Sequence, residues 1–129
     1  MIPLDICMRA VLPLDRFEEI RDVSLRKFLF RLCGVYSAAN HQEEGIEGVI
    51  LYDPLAIFCA AQPEAFRFER YSVRVDTGNS VARGYAVVDR RLSAPGEPPV
   101  SIAMDCDLRD LYRAFFEGLN RVSFSELPE

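Results

Sequence analysis

Apolar residues recur at helical spacing in three stretches of the chain. The first is short and covers residues 14–22, directly after a proline. The second covers residues 25–40 with Ser24 as its predicted N-cap, and its wide apolar stripe predicts burial on more than one side. The third covers residues 108–119. Its predicted inward-facing residues are Leu108, Leu111, Tyr112, Phe115 and Leu119.

The period changes from helical to two after Pro63, which predicts β-structure. Apolar and polar residues alternate in residues 66–75, and the segment DTGNS that follows has a composition typical of a turn. The segment VARGYAVVDRR is predicted to return as a second strand. Residues 66–91 are therefore predicted to form a β-hairpin. The mostly apolar segment VSIAMDCD predicts a buried strand, and residues 2–5 predict the end of another strand. The segment SAPGEPP before VSIAMDCD is predicted to be a surface loop.

A chain of 129 residues, half of them apolar, has the size of one domain with a single core. The predicted order is a strand stub, two helices, a short helix, a β-hairpin, a buried strand and a closing helix. This order is α/β in character with an antiparallel excursion. We therefore expect residues 1–129 to form a single α/β domain.

Charge and composition exclude several classes of partner. The formal net charge is −5, and Lys27 is the one lysine among fifteen basic residues, so nucleic acid is not an expected partner. No window reaches the length of a membrane span, and no membrane partner is expected. The four cysteines are at least 26 residues apart and lack the spacing of a zinc site, which is typical of the reducing cytoplasm.

The stretch LYDPLAIFCAAQPEAF, residues 51–66, places one ionisable side chain beside apolar surface. Asp53 before Pro54 is a common helix opening, so one interpretation makes it the N-cap of a short helix. The other interpretation makes it a metal ligand at the mouth of a site. These residues alone leave both open. The one histidine, His41, falls in the polar segment HQEEGIEG and is predicted to be a solvated loop residue.

Four segments in a fixed order carry a resemblance to a known family. They read IPLDICMRAVL, LYDPLAIFCAAQPEAF, VRVDTGNSVARGYAVVDRR and IAMDCDLRDLYRAFFEGL. They resemble, in that order, four parts of the nucleoside hydrolases, the inosine-uridine preferring N-ribosyl hydrolases. These parts are a strand and turn (usually Pro-Leu-Asp-Val-Thr followed by His), a His-Asp-Pro helix, the next hairpin, and the closing strand and helix. The resemblance implies the C-terminal portion of a nucleoside-hydrolase-like fold, with the N-terminal half of that fold absent.

The family cleaves the N-glycosidic bond of purine or pyrimidine ribonucleosides to base and ribose, using a tightly held calcium ion. The resemblance implies that Asp53 descends from a calcium ligand and that Tyr36 lies where the family forms part of its nucleobase pocket. Tyr52 occupies the position of a His implicated in protonating the leaving base. Cys7 and Met8 replace the Thr-His of the upstream segment. A phenol with a pKa near ~10 is a much weaker acid at pH 7 than an imidazole.

Each of these residues also has a structural interpretation. Tyr52 is expected as a half-buried aromatic residue with its hydroxyl in solvent. Tyr36 lies on the apolar stripe of the long helix and is expected to pack in the core. The carboxylate of Asp53 cannot hold calcium alone, because that ion takes six or more oxygens.

The resemblance also implies what residues 1–129 lack. The family's Asp-x-Asp-x-x-x-Asp-Asp cluster, which supplies most calcium ligands and the general base, does not occur in this sequence. We therefore expect a truncated ribonucleoside hydrolase that is inactive alone and does not bind calcium tightly. The alternative is a non-catalytic paralogue that acts as an assembly or binding module in a homo- or hetero-oligomer. A third interpretation is an unrelated small α/β ligand-binding domain.

Overall fold

The computed structural model of the protein describes residues 1–91 and 98–122. This part of the chain contains both helices and strands, and β-structure predominates between the third and fourth α-helices. The helices are α1 (Leu4–Cys7), α2 (Val23–Glu44), α3 (Tyr52–Ala61) and α4 (Leu108–Leu119). The strands are β1 (Val11–Leu12), β2 (Val49–Ile50), β3 (Phe66–Val75), β4 (Ala86–Asp89) and β5 (Val100–Cys106). Short 3-10 helices at Leu14–Glu19 and Pro63–Ala65 precede α2 and β3.

The strands form two antiparallel sheets. In the smaller sheet β1 pairs with β2, and Val11 lies opposite Ile50. In the larger sheet β3 is central: its first half pairs with β5 and its second half with β4. The predicted hairpin and the predicted strand after it are both confirmed. The predicted loop SAPGEPP lies outside the described residues, except for its last two prolines.

The core lies where the smaller sheet, α3, α4 and one face of the larger sheet meet. Leu12, Ile20, Leu55 and Leu111 are the largest side chains under 2% exposed. Among the described residues no charged or polar side chain is buried. The inward face predicted for α4 is confirmed by Leu111, and Phe116, which the prediction omitted, is also buried.

Hydrogen bonds join the first and last parts of the described chain. Tyr112 in α4 donates its hydroxyl to the Val11 carbonyl of β1 at 2.7 Å. Asn120, just after α4, accepts from the Arg21 backbone N–H at 2.8 Å and donates to the Glu19 carbonyl at 3.1 Å. These bonds fix α4 against the segment that leads into α2.

The strand predicted for residues 2–5 is wrong, because none of these residues lies in a strand. Met1 lies beside β5: its amino group donates to the Ser101 carbonyl at 2.7 Å, and its carbonyl accepts from the Ala103 N–H at 2.9 Å. The chain then turns into α1 with Pro3 as its N-cap. Proline has no N–H to donate to a strand ladder and has a backbone angle suited to helix entry, so the pairing of Met1 with β5 does not continue as a strand.

The ends of α2 differ from the prediction. Its N-cap is Asp22, not Ser24, because the Asp22 carboxylate accepts from the N–H groups of Ser24 at 2.8 Å and Leu25 at 2.9 Å. The helix continues to Gly45, which has a φ of 69° and so provides the left-handed C-cap that glycine adopts without strain. His41 therefore lies in the last helical turn, and its predicted place in a loop is wrong.

The prediction that α2 is buried on more than one side is also wrong. Leu25 is buried, and Leu29 and Cys33 pack against the core from the same side of the helix. The elements that contact α2 most are the 3-10 helix before it and β2, and both lie on that side. The remaining large apolar side chains are exposed. They are Val23, Phe28, Phe30, Leu32, Val35 and Tyr36.

Candidate functional site

Tyr52 and Asp53 lie side by side in the first turn of α3. The β1–β2 pairing positions this turn, because the Leu51 N–H directly after β2 donates to the Ala10 carbonyl directly before β1 at 2.9 Å. Leu51 and Leu55 are buried at 5% and 0% exposure, whereas Tyr52 and Asp53 are exposed. The start of α3 is thus anchored in the core and presents both predicted site residues to solvent.

The interpretation of Asp53 as the N-cap of α3 is wrong. The helix begins two residues earlier than predicted, with Leu51 as its N-cap and no side chain capping it. Pro54 sits in the first turn, where its missing N–H would have no partner within the helix. The Asp53 carboxylate makes no hydrogen bond or ion pair with another described residue. Its local structural role is limited to a favourable interaction with the N-terminal end of the helix dipole.

Tyr52 is 42% exposed, and its hydroxyl donates to the Sδ atom of Met8 at 3.7 Å. Met8 is the half-buried C-cap residue of α1. The expected half-exposed aromatic residue is therefore present, but its hydroxyl has a protein partner. Sequence reasoning identified both positions as departures from family histidines and missed that they are in contact.

Tyr36 lies on α2 and is 62% exposed, so its predicted place in the core is wrong. With Leu32, Val35 and neighbouring residues it lines an open groove of about 890 Å³ on the outer side of the helix. No hydrogen bond or ring contact joins it to Tyr52 or Asp53. The structure therefore places Tyr52 and Asp53 together and leaves Tyr36 on a separate surface.

Cys7 precedes Met8 and is buried at 7% exposure. Burial raises the pKa of its thiol, because a thiolate would lose its hydration there. The thiol therefore stays neutral at pH 7. Cys7 acts as a small core residue and not as a nucleophile beside α3.

The donor atoms near Asp53 are too few for calcium. This ion takes six to eight oxygens, and one carboxylate supplies at most two. In residues 1–91 and 98–122 no group of three or more His, Cys, Asp or Glu side chains could hold a metal ion. The described residues alone therefore do not fit a calcium ion.

The hairpin holds a cavity that the sequence did not predict. It lies between residues 1–6 and one face of the larger sheet, measures about 1000 Å³ and has Arg83 and Tyr71 in its lining. On the same hairpin, Asp89 pairs with Arg91 at 2.5 Å. This hydrogen-bonded pair lowers the pKa of Asp89 to about 2. The cavity is distinct from the turn that carries Tyr52 and Asp53.

A sequence model described as inosine-uridine preferring nucleoside hydrolase matches residues 1–113. The chain belongs to this family. The chain is also similar to curated relatives over 89 residues. It is 28% identical to probable uridine nucleosidase 1 of Oryza sativa subsp. japonica, covering 64% of this chain and 27% of the relative. It is also 28% identical to uridine nucleosidase 1 of Arabidopsis thaliana, covering 64% and 26%.

Solved nucleoside hydrolases have the same fold over most of this chain. A plant nucleoside hydrolase, the PpNRh1 enzyme, superposes with a TM-score of 0.79 at 19% identity, covering 92% of this chain. A purine-preferring ribonucleoside hydrolase from Gardnerella vaginalis superposes with a TM-score of 0.76 at 26% identity, covering 95%. Each match covers 40% of the solved chain. This nucleoside hydrolase chain therefore spans less than half the length of the relatives that it matches.

Proposed function

We propose that this nucleoside hydrolase chain supplies one side of a ribonucleoside-cleaving site, and that residues 1–129 do not hydrolyse nucleosides alone. One observation carries the proposal: the first turn of α3 presents Tyr52 and Asp53 together, on a backbone fixed by the buried residues on either side of them. Asp53 contributes one oxygen donor of a calcium site whose other ligands lie outside residues 1–129. Tyr52 faces the leaving base.

The absence of a cap role for Asp53 supports this assignment. An exposed aspartate that forms no cap, ion pair or hydrogen bond with a described residue keeps both carboxylate oxygens available for a ligand. When bound, calcium activates water and binds the ribose hydroxyls in this family. The chain's own contribution is to hold the carboxylate at a fixed helix end and to set an apolar ring beside it.

The substrate class is a ribonucleoside, with uridine and inosine as the first two to test. The two plant relatives carry the name uridine nucleosidase, and the family description names inosine and uridine. The bacterial structural relative is described as purine-preferring, so a purine nucleoside belongs in the same assay.

The first experiment measures ribose release by purified residues 1–129 with calcium and either uridine or inosine. We expect no turnover above the uncatalysed rate, and calorimetry should detect no tight stoichiometric calcium binding. Turnover by this chain alone would refute the inactivity, and tight calcium binding would refute the incomplete ligand set.

The second experiment restores the missing ligands. The chain is mixed or fused with the part of the Arabidopsis relative that precedes its matched region, and ribose release is measured again. We expect activity that Asp53→Asn abolishes. Glu64→Gln, an exposed carboxylate near the other end of α3, is the matched control and should leave activity unchanged. Equal activity in the two variants would remove Asp53 from the site.

A second candidate function is assembly without catalysis, and the outer face of α2 favours it. Leu32, Val35 and Tyr36 are 47%, 73% and 62% exposed on one side of this helix. We propose that the remainder of a nucleoside hydrolase fold covers this face, either in the same polypeptide or in a separate one. Since matched solved chains extend well beyond the shared region, such a partner has the required size.

Light scattering after size-exclusion chromatography tests this candidate. The chain is analysed alone and with the same relative-derived partner. We expect a complex that Leu32→Lys weakens. Val81→Lys, at an exposed position outside the groove, is the matched control and should leave the complex unchanged. A chain that remains monomeric in the presence of the partner would exclude the assembly function.

The cellular setting is part of the proposal. Cys7, Cys33, Cys59 and Cys106 are free thiols in the structure, which supports the reducing cytoplasm as the compartment. Among the helices of the described residues, none is long and apolar enough to cross a membrane.

A further inference from the structure

We propose that Met8 is a positioning residue for Tyr52, and that it turns the tyrosine hydroxyl so that its oxygen, and not its proton, faces a ligand. The inference rests on the proposed function for the ligand that meets Tyr52. Its geometric part concerns this chain alone. The Tyr52 hydroxyl donates to Met8 Sδ at 3.7 Å, within the range for a sulfur acceptor.

The backbone on both sides of this contact is fixed. Met8 ends α1, where its N–H donates to the Leu4 carbonyl at 2.8 Å. Two residues later, the Ala10 carbonyl accepts from the Leu51 N–H, directly before Tyr52. The β1–β2 register continues the same alignment. The pairing of these two backbone segments therefore places Met8 and Tyr52 in contact.

The chemistry of sulfur decides which part of the hydroxyl remains available. A thioether accepts a hydrogen bond and has no proton to donate, and a phenol has one proton. While the Tyr52 hydroxyl donates its proton in the hydrogen bond to Met8 Sδ, the phenol oxygen keeps its lone pairs for another group. A ligand over the first turn of α3 is then recognised through its own N–H or O–H. Tyr52 can protonate a leaving base only after the bond to Met8 breaks.

Uridine offers such a donor at N3–H, and 3-methyluridine lacks it. The pair therefore distinguishes an acceptor at Tyr52 from a donor. If the phenol oxygen accepts from N3–H, uridine binds better than 3-methyluridine. Tyr52→Phe removes the oxygen and should abolish the preference.

The first measurement is NMR of the free chain with labelled tyrosine rings and methionine methyl groups. We expect a nuclear Overhauser effect between the Met8 methyl group and the Tyr52 ring. Met8→Ala should abolish it and shift the Tyr52 signals, while Met104→Ala should not. Met8→Leu keeps the volume but removes the sulfur, so the ring should stay in place while the Tyr52 Cζ shift moves toward that of exposed Tyr36. Unchanged Tyr52 signals in a folded Met8→Ala variant would overturn the positioning role.

The second measurement titrates uridine and 3-methyluridine at high concentration while the Tyr52 ring signals are followed. We expect uridine to bind more tightly, and Met8→Ala to weaken its binding about two- to tenfold. Equal binding of the two nucleosides would overturn the acceptor assignment. If the contact is present but neither nucleoside perturbs Tyr52, the acceptor assignment fails while the positioning of Tyr52 by Met8 stands. The proposed function is judged separately, by the activity of Asp53→Asn with the relative-derived partner.

Discussion

The two longest helices, α2 and α4, begin in the same way and end in different surroundings. Each has an aspartate N-cap: the Asp22 carboxylate of α2 accepts from two backbone N–H groups, and the Asp107 carboxylate of α4 accepts from one. The predicted apolar stripe of α4 packs into the core. The stripe of α2 packs only on the side of Leu25, and its outer side remains exposed. A periodic stripe thus reports that a helix face is apolar, and not whether another element covers it.

The difference comes from the partners that the rest of the chain provides. The α4 helix lies against α3 and the smaller sheet, and Tyr112 and Asn120 join it to the segment before α2. The α2 helix meets the 3-10 helix and β2 along one side. One helix therefore completes the core, and the other displays apolar surface at its edge.

Truncating a leucine in each helix gives the sharpest test of this comparison. Leu111 in α4 is 1% exposed, so Leu111→Ala should lower the free energy of unfolding by about 2–5 kcal/mol through lost burial and a cavity. Leu32 in α2 is 47% exposed, and Leu32→Ala should cost less than about 1 kcal/mol. Urea unfolding measures both. Similar losses would show that α2 is covered in solution.

The N-cap of α2 tests whether this helix depends on its local sequence. Asp22→Ala should cost about 1 kcal/mol, because the N–H groups of Ser24 and Leu25 lose their acceptor. Ser24→Ala should change stability by less than about 0.5 kcal/mol, since the Ser24 side chain does not cap the helix. Thermal unfolding followed by circular dichroism compares the two. A larger loss from Ser24→Ala would restore the cap predicted from the sequence.

A matched pair of tyrosines, one in α4 and one in α2, compares the packed helix with the exposed helix face through the loss of one hydroxyl group. Tyr112→Phe removes the hydrogen bond from α4 to the Val11 carbonyl and should cost about 0.5–1.5 kcal/mol. Tyr36→Phe on the exposed face of α2 should have no measurable effect, because that hydroxyl bonds to no described residue. Urea unfolding curves of the two variants should differ in their midpoints. If they coincide, the bond to Val11 adds nothing to stability.

Thiol reactivity distinguishes the inner and outer sides of α2. Burial raises the pKa of Cys33 above its ordinary value of 9.0, so the folded chain favours the neutral thiol. The preference of the fold for the neutral Cys33 thiol stabilises it fully below about pH 9. This stabilisation is lost as the pH rises through the pKa of Cys33 in the folded chain. Iodoacetamide labelling of Cys33, read by peptide mass spectrometry, should have its pH midpoint above that of the urea-unfolded chain. Val35→Cys, at a position 73% exposed, should match the unfolded chain. Equal midpoints at both positions would contradict a desolvated inner side.

Much of the fold followed from local pattern. The alternation before DTGNS and the turn composition of that segment predicted the hairpin, and the spacing of Leu108 and Leu111 predicted the inward face of α4. The family resemblance at LYDPLAIFCAAQPEAF directed attention to Tyr52 and Asp53, and the structure puts both on one exposed turn. Helix ends were less predictable, because Asp22 and Ser24 are both good N-caps and the geometry of a single turn selects between them.

The sequence by itself determined the periodicity of the elements, the charge balance and the family, since each depends on residue type and order. Only the tertiary structure decided which apolar faces are covered, that Asp53 does not cap its helix, and that Met8 meets Tyr52 across 44 positions of sequence. The physical reason is that burial and side-chain contact depend on which distant segments pair. The pairing of β1 with β2 brings together residues that are distant in sequence, and their local sequence patterns do not show that they become neighbours.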